Sequence, residues 1–317
     1  MKNKSTIQAD IEPLGIKSVP GLAHRLGVSQ EILESVAQNA GAFYAPFESN
    51  SSPRAFQKKP FIKKSRNIDN PVGQLKDIQN RINVKLLRII DLPNHVFGGR
   101  KGRSVIQNAN HHLGRKTLVT IDVKQFFPSI SNIDVHFVWF KILGCSPKIA
   151  SILTKLTTFE RRLPQGAPTS TALANLFLLS CDSAIREFCA ANGIIYTSWV
   201  DDLAFSGKNA RDVIYIAAKA LRSGGLQISR RKVKVMPSSG RQVLMGVVVN
   251  NRPSVTKEYR RATRSGINKL RTGKIYSSYI ESYLKTIRGR IAYINQTNPQ
   301  YASNLNCQLD ELMTQRL

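Results

Sequence analysis

Apolar positions switch between helical and strand spacing along the chain, and the switches define its elements. In "GQLKDIQNRINVKLLRIID" (73–91), Leu75, Ile78, Ile82, Leu86 and Ile89 fall on one stripe of an amphipathic helix, stopped by Pro93. Residues 21–40 also read as helical, with Ser29 as N-cap and Leu33 and Val36 at helical spacing after it. "KTLVTIDVKQFFPSI" (116–130) reads as a buried strand ending in Asp122 and then aromatic residues, with a helix near "NIDVHFVWFKIL" (132–143). Residues 163–193 predict a turn feeding one long helix, two short strands flank Asp201–Asp202, and residues 210–225 predict a helix with a glycine stop. Residues 244–255 read as a β-hairpin or strand pair, and from Glu258 to Arg290 the chain turns helical and basic. Residues 47–60 are loop-like, with turn formers and a charge run. Strands and helices do not alternate regularly, which predicts an α+β fold rather than a doubly wound parallel sheet.

Charge changes the picture more than composition does. Lys plus Arg is 47 against 20 acidic residues, a formal +27. Such an excess repels itself unless a polyanion offsets it. Nucleic acid is the partner this favours, because cationic side chains displace its condensed counterions. A membrane surface would favour a concentrated polybasic tail, whereas here the charge is spread along the chain. No uncharged apolar run reaches the roughly 18 residues of a membrane span, and the N-terminus does not read as a signal peptide. Cys145, Cys181, Cys189 and Cys307 form no Cys-x-x-Cys or Cys/His cluster. They are read as buried, reduced thiols of a cytoplasmic protein.

Against this background the carboxylates of "YTSWVDDLAFSG" (196–207) stand out. Asp122 ends one apolar strand, and Asp201–Asp202 sit at the bend of a later hairpin. If the hairpin packs beside the first strand, the three carboxylates meet. Bare anions about 4 Å apart repel by roughly 4 kcal/mol at an effective dielectric near 20. Such a cluster needs protonation or a bound cation, and oxygen donors without His or Cys favour Mg²⁺. Two magnesium ions bridging carboxylates and substrate phosphates support phosphoryl transfer. Because side chains alternate along a strand, Asp201 is given the main ligand role beside Asp122 and Asp202 a secondary one. Taken alone, an Asp–Asp pair is more often simply a turn, since aspartate favours turns.

"WVDDL" (199–203) resembles the catalytic aromatic-x-Asp-Asp box of reverse transcriptases, with Trp199 in place of the usual tyrosine. Other boxes stand in that family's order. "TIDVKQFFPSI" (120–130) resembles the first palm box, and "LPQGAPTSTALAN" (163–175) the second. "GGLQISRRKVKVM" (224–236) and "LMGVVV" (244–249) resemble the lysine block and the primer-grip strands. "IKKSRNIDNPVGQLKDIQNRI" (62–82) and "RKGRSVIQNANHH" (100–112) resemble the finger blocks. "NANHH" (108–112) also matches the N-A-x-x-H signature of bacterial retron reverse transcriptases, although Leu244-Met245-Gly246 stands where these often carry V-T-G.

The resemblance implies a right-hand polymerase with fingers, a palm of antiparallel sheet plus helices, and a helical thumb. Its divisions are an N-terminal helical extension (1–50), fingers (51–115), palm (116–250, with finger insertions at about 131–160) and a basic thumb (251–317). It implies that Asp122, Asp201 and Asp202, with the Val123 carbonyl, hold two Mg²⁺ ions. Phe127 would be the steric gate against a 2′-hydroxyl, with Phe126 turned into the core. Lys64, Arg66, Gln165 and Gly166 would meet the incoming nucleotide, and Lys232 would serve as general acid for pyrophosphate. Asn108, His112 and Leu244-Met245-Gly246 would contact RNA or primer. In 251–317, twelve Lys/Arg face four Asp/Glu, and Arg260, Arg261, Arg264, Lys269, Arg271 and Lys274 lie among tyrosines. That mixture suits RNA shape and base stacking.

The implied function is RNA-directed DNA synthesis on a cognate structured noncoding RNA, primed from a 2′-hydroxyl to give branched RNA–DNA (msDNA). The implied partners are that RNA, its cDNA, dNTPs and an effector protein encoded nearby, in anti-phage defence. Alternatives from the sequence are another reverse transcriptase type, group II intron-like or diversity-generating, or a catalytically silent RNA-binding module of the same fold.

Overall fold

The structure, a computed structural model, describes residues 11–50 and 65–314. Helices α1 (Val19–Leu26) and α2 (Gln30–Gln38) share the stretch expected to be helical, and the Ser29 hydroxyl accepts the Ile32 N–H at 3.3 Å to start the second. Strands β1 (Phe47–Asn50) and β2 (Ser65–Ile68) pair antiparallel, so the first residues of the expected loop are a strand. Its polar sequence gives no strand signal; β2 supplies the backbone partners.

Helix α3 (Gly73–Ile82) runs into a π-helical turn at Asn83–Leu87. The extra residue in such a turn rotates the downstream side chains by about 100°. Leu75, Ile78, Ile82 and Leu86 are therefore buried, while Ile89, placed on the same stripe from the sequence, is 64% exposed. Next come α4 (Val105–Asn110), β3 (Thr117–Asp122) and α5 (Phe126–Ser129). The expected strand over 116–130 thus ends at Asp122. Helix α6 (Asn132–Phe137) starts on a Ser131–Asp134 capping box, passes into a second π-helical turn at Val138–Ile142, and is followed by α7 (Pro147–Thr157).

The long helix expected within 163–193 is two, α8 (Ser170–Leu179) and α9 (Ser183–Ala191). The break turns Asp182 inward, where its carboxylate meets His95 Nε2 at 3.1 Å and accepts from Tyr196 OH at 3.1 Å and Arg186 Nε at 3.0 Å. The remaining elements are β4 (Ile195–Trp199), β5 (Asp202–Gly207), α10 (Val213–Ser223), β6 (Lys234–Pro237), β7 (Val243–Leu244), β8 (Val247–Val248), β9 (Ser254–Val255), α11 (Lys257–Arg271), α12 (Ile280–Asn295) and α13 (Pro299–Thr314).

These elements form two compact units built from non-contiguous segments. Of the described residues, the first comprises 11–50, 65–104 and 116–235. Its centre is a sheet in the order β4-β5-β3, all antiparallel, with β6 beside β3. Trp139, Phe177 and Phe205 are among the large side chains fully buried in its core. Of the described residues, the second comprises 105–115 and 236–314. It holds the three-stranded β7-β8-β9 sheet and helices α11–α13, which bury Ile267, Ile287, Ile291, Leu305 and Leu309 in a core of their own. Cys145, Cys181 and Cys189 are buried, but Cys307 is exposed on α13 rather than buried as expected, since apolar Leu305 and Leu309 take the inner positions there. Among the described residues, no helix is long and apolar enough to cross a membrane.

Candidate active site

Strand β5 delivers the acidic cluster. Its pairing with β3 runs in register from Thr117–Gly207 to Asp122–Asp202. Directly opposed residues share a face, so Asp122 and Asp202 project from the same side of the sheet. Trp199 on β4 also pairs with Asp202, leaving Val200 and Asp201 as a two-residue connection. Val200 has φ +58°, a left-handed conformation that a β-branched residue rarely adopts. Backbone strain of this kind costs on the order of 1–3 kcal/mol and persists where the surroundings over-determine it. Here the Asp201 carbonyl accepts the Val123 N–H at 2.9 Å. From the other side, residues His95–Gly98 lie along β4: Ser198 N–H donates to the His95 carbonyl at 2.8 Å, and Phe97 N–H donates to the Ser198 carbonyl at 2.8 Å. A Cβ on Gly98 would lie 2.5 Å from the Val200 nitrogen, so only glycine permits this approach.

The end of β3 is clamped as firmly. Ser229 N–H donates to the Asp122 carbonyl at 2.7 Å, and Lys124 N–H donates to the Gln227 carbonyl at 2.7 Å. The short helical turn Arg230–Lys232 follows, and Lys232 Nζ donates to both carboxylate oxygens of Asp122, at 2.8 and 2.7 Å. Burial, and then the charge of Asp122, raise the Asp201 carboxyl above the usual range, with Lys232 and Arg66 opposing. Asp202 keeps part of its surface open to water. Even so, dehydration and then the charges of Asp201 and Asp122 push it up to about 6. Dehydration first, and mutual repulsion after it, thus disfavour full ionisation of the cluster.

That donor set, all carboxylate oxygen with no sulfur or imidazole, fits a hard divalent cation. As they stand, no three acidic, His or Cys side chains among the described residues are gathered at metal-binding distance. Asp122 is turned to Lys232 instead, so a cation there competes with the ammonium group.

Of the other residues singled out from the sequence, Phe126 is buried in the core and Phe127 is half-buried beside it. Val123 is buried, with its N–H committed to Asp201. Arg66 is exposed on β2, close enough for its charge to act on Asp201. Lys64 lies outside the described residues. Gln165 and Gly166 form the turn before α8, and a Cβ on Gly166 (φ +124°) would lie 2.7 Å from Ile68 Cγ2. All of these described residues belong to the first unit.

Asn108, His112, Leu244, Met245, Gly246 and the six cations belong to the second unit. Asn108 and His112 are buried, so neither presents a side chain to solvent. Asn108 Nδ2 donates to Met245 Sδ at 3.7 Å, and its Oδ1 has no hydrogen-bond partner among the described residues. Burial, then the neighbouring charges of His111 and Arg115, lower His112 to about 3. Met245 and Gly246, both at positive φ, turn the chain between β7 and β8. Arg261, Arg264, Lys269, Arg271 and Lys274 are exposed and Arg260 is half-exposed, and none is ion-paired among the described residues. Tyr276 and Tyr279 are exposed, whereas Tyr259 and Tyr283 pack against the helical core.

Sequence reasoning missed Asp69, Arg162 and the Asp182 network. Asp69, buried on the segment after β2, accepts from Arg162 Nη1 at 2.6 Å, Arg162 Nη2 at 3.1 Å and the Gln165 N–H at 3.0 Å. One visible signal was an acidic residue in the basic stretch "KKSRNIDNP" (63–71).

The geometry agrees with comparison to known proteins. A family profile described as "Reverse transcriptase (RNA-dependent DNA polymerase)" matches residues 56–249. The Retron Ec86 reverse transcriptase of Escherichia coli is 32% identical over 78% of this chain and 81% of that protein. The Retron Se72 reverse transcriptase of Salmonella heidelberg (strain 579083-10) is 26% identical over 94% of this chain and 80% of that one. A solved structure of telomerase from Candida albicans, in complex with a fragment of telomeric RNA, shares the fold with TM-score 0.51 at 9% identity, over 90% of this chain and 68% of that one. The chain, with its α+β polymerase fold, therefore belongs to the retron reverse transcriptases and is an RNA-directed DNA polymerase.

Proposed function

We propose that this polymerase copies part of a structured noncoding RNA from a priming 2′-hydroxyl, leaving RNA and DNA joined as branched msDNA, and that Asp122, Asp201 and Asp202 carry the chemistry. The observation behind this is the register that sets Asp122 against Asp202, with Asp201 in the strained turn between the strands.

The three carboxylates and the Val123 carbonyl are the groups to hold two Mg²⁺ ions. When bound, the pair supplies activation of the attacking hydroxyl and stabilisation of the leaving pyrophosphate. Lys232 holds a proton on Nζ at the same place, and once released from Asp122 it can deliver that proton to the departing pyrophosphate. Arg66, with Lys64 of the same segment, is read as a triphosphate grip, and Gln165 and Gly166 as the floor under the nucleotide. The half-buried Phe127 ring is read as the steric gate that would leave no room for a ribose 2′-hydroxyl. In the second unit, the exposed cations of α11 with Tyr276 and Tyr279 are read as a surface for the cognate RNA. The buried Asn108 and His112 would act on RNA only through the Met245–Gly246 turn that Asn108 touches. Family membership extends the reading to anti-phage defence with an effector protein encoded nearby.

The test is to purify the protein from its host, sequence the nucleic acid that accompanies it, and repeat the synthesis with that RNA, dNTPs and Mg²⁺. A covalent RNA–DNA species with a 2′–5′ branch is the expected product. DNA synthesis that yields only unbranched product would overturn the priming reading. Loss of phage protection on deleting the neighbouring effector gene checks the defence role.

A further inference from the structure

We infer that Asp69 is a positioning residue for nucleotide addition: through Arg162 and Gln165 it fixes the β2 strand, which carries Arg66, against the turn that opens α8. The inference rests on the reading of Arg66 and Gln165 as nucleotide contacts.

Four hydrogen bonds meet at Asp69. Its carboxylate takes two from the Arg162 guanidinium, at 2.6 and 3.1 Å, and one from the Gln165 N–H at 3.0 Å. Its own N–H donates to the Gln165 carbonyl at 2.9 Å. Asp69 and Gln165 thus exchange hydrogen bonds in both directions, although they lie 96 positions apart. Asp69 is 3% exposed, and a buried carboxylate needs such partners. The forked guanidinium gives direction as well as charge, since two parallel bonds fix an orientation that one ammonium group would leave free.

Arg162 is itself held in a strained place. Phe159 pairs with Arg162 across a two-residue turn whose residues, Glu160 and Arg161, both have positive φ, at 48° and 61°. Neither is glycine, so the turn needs outside support. Arg162 Nη2 also donates to Glu160 Oε2 at 3.0 Å, and Asn132 N–H donates to the Arg161 carbonyl at 2.9 Å. The result is a rigid strut from the α6 start, through Arg162 and Asp69, to β2. Arg66 lies three residues before Asp69 on that strut, and Gln165 three residues after Arg162. The separation of Arg66 from Gln165 is therefore set by a contact that touches no substrate.

The experiment is steady-state addition of one deoxynucleotide to a primed RNA template by the full-length protein. Asp69→Asn keeps the shape and a carbonyl acceptor but loses the charge that holds the guanidinium. It is expected to raise KM for the dNTP about tenfold, with a smaller change in kcat, because sub-ångström misplacement of binding groups weakens the productive complex. RNA affinity should stay near wild type, the thermal midpoint should fall because a buried ion pair is broken, and Arg162→Lys should show a smaller rise in KM than Arg162→Gln. A purely structural role would lower the active-site fraction, read as burst amplitude, and leave KM alone; that result overturns the inference. If Asp69→Asn does not fold, Arg162→Gln at its half-buried position gives the same readout, and an unchanged KM there overturns it equally. If Arg66→Ala and Gln165→Ala themselves leave KM unchanged, the nucleotide reading falls and takes this inference with it. If they raise KM while folded Asp69→Asn does not, the positioning role alone falls.

Discussion

The two compact units use charge in opposite ways. In the unit of β3 and β5, ionised groups are committed to named partners: Asp122 to Lys232, Asp69 to Arg162, and Asp182 to Arg186 with His95 and Tyr196. Each of those carboxylates is 9% exposed or less, and low local dielectric makes their interactions strong and their loss costly. In the unit of α11–α13 the apolar side of the helices forms a separate core, and Arg261, Arg264, Lys269 and Arg271 stand on the solvent side of α11 without ion-pair partners among the described residues, while Arg241 and Glu258 form an exposed pair. There each charge is hydrated and screened by salt. The first unit turns charge into fixed geometry; the second turns it into density. Substitutions should therefore act singly and severely in one, and additively and weakly in the other.

The sharpest way to break this contrast is Asp122→Asn. DNA synthesis should fall by at least about a thousandfold, because electrostatic stabilisation of the reacting phosphate depends on that charge. RNA affinity should stay within about twofold of wild type, since the second unit's cations are untouched. Primer extension and filter binding on one preparation decide it: residual synthesis above a tenth of wild type removes the acidic cluster from the chemistry.

Lys232→Met should come next, with kcat lowered roughly a hundredfold, the usual scale for losing a general acid. A second readout separates this from simple damage. Lys232 is one of the groups holding Asp201 and Asp202 down. Its removal should raise both carboxyls further in the metal-free protein, a shift that carboxyl titration by NMR without Mg²⁺ would read. A lowered kcat with unmoved carboxyl titrations would assign Lys232 to proton delivery alone.

The second unit has one group that behaves like the first. His112 is buried and its pKa lies near 3, below the ordinary 6.5, chiefly through dehydration. The folded protein therefore holds it neutral while the unfolded chain protonates as pH falls through about 6.5. Stability should be whole above that value and decline by up to about 1.4 kcal/mol per pH unit towards 4. Urea unfolding at pH 7 and pH 5 should show a larger loss for wild type than for His112→Gln. Equal losses would show that His112 protonates freely in the folded state.

The sequence made local matters legible and left long-range ones dark. The β-forming run before Asp201, the short apolar run after Asp202 and the apolar run before Asp122 predicted the strands, because those signals belong to single segments. Nothing in either segment states their register, and register puts Asp202 rather than Asp201 opposite Asp122. The π-helical turn at Asn83–Leu87 leaves no mark on the apolar spacing before it, so Ile89 read as buried. Asp182 breaks a good helical pattern to reach His95, 87 positions away, and Asp69 reaches Arg162 across 93. Buried polar contacts of that span are settled by tertiary packing, and a single sequence carries no local trace of them.

The weakest effects should lie on α11, and they test whether density is the right description of that surface. Arg261→Ala, Arg264→Ala and Lys269→Ala each remove one exposed cation. If each meets one RNA phosphate, the slope of log affinity against log salt should flatten by about 0.7 to 0.9 per substitution, and the changes should add. Tyr276, 82% exposed, supplies the control. Tyr276→Ala should weaken binding through lost base stacking and leave the slope alone, because stacking releases no counterions. Three cation variants with unchanged slopes would mean that the helix is merely a solvated face. One variant accounting for the whole change would mean a specific contact, and the contrast with the carboxylate unit would then narrow to a difference in exposure.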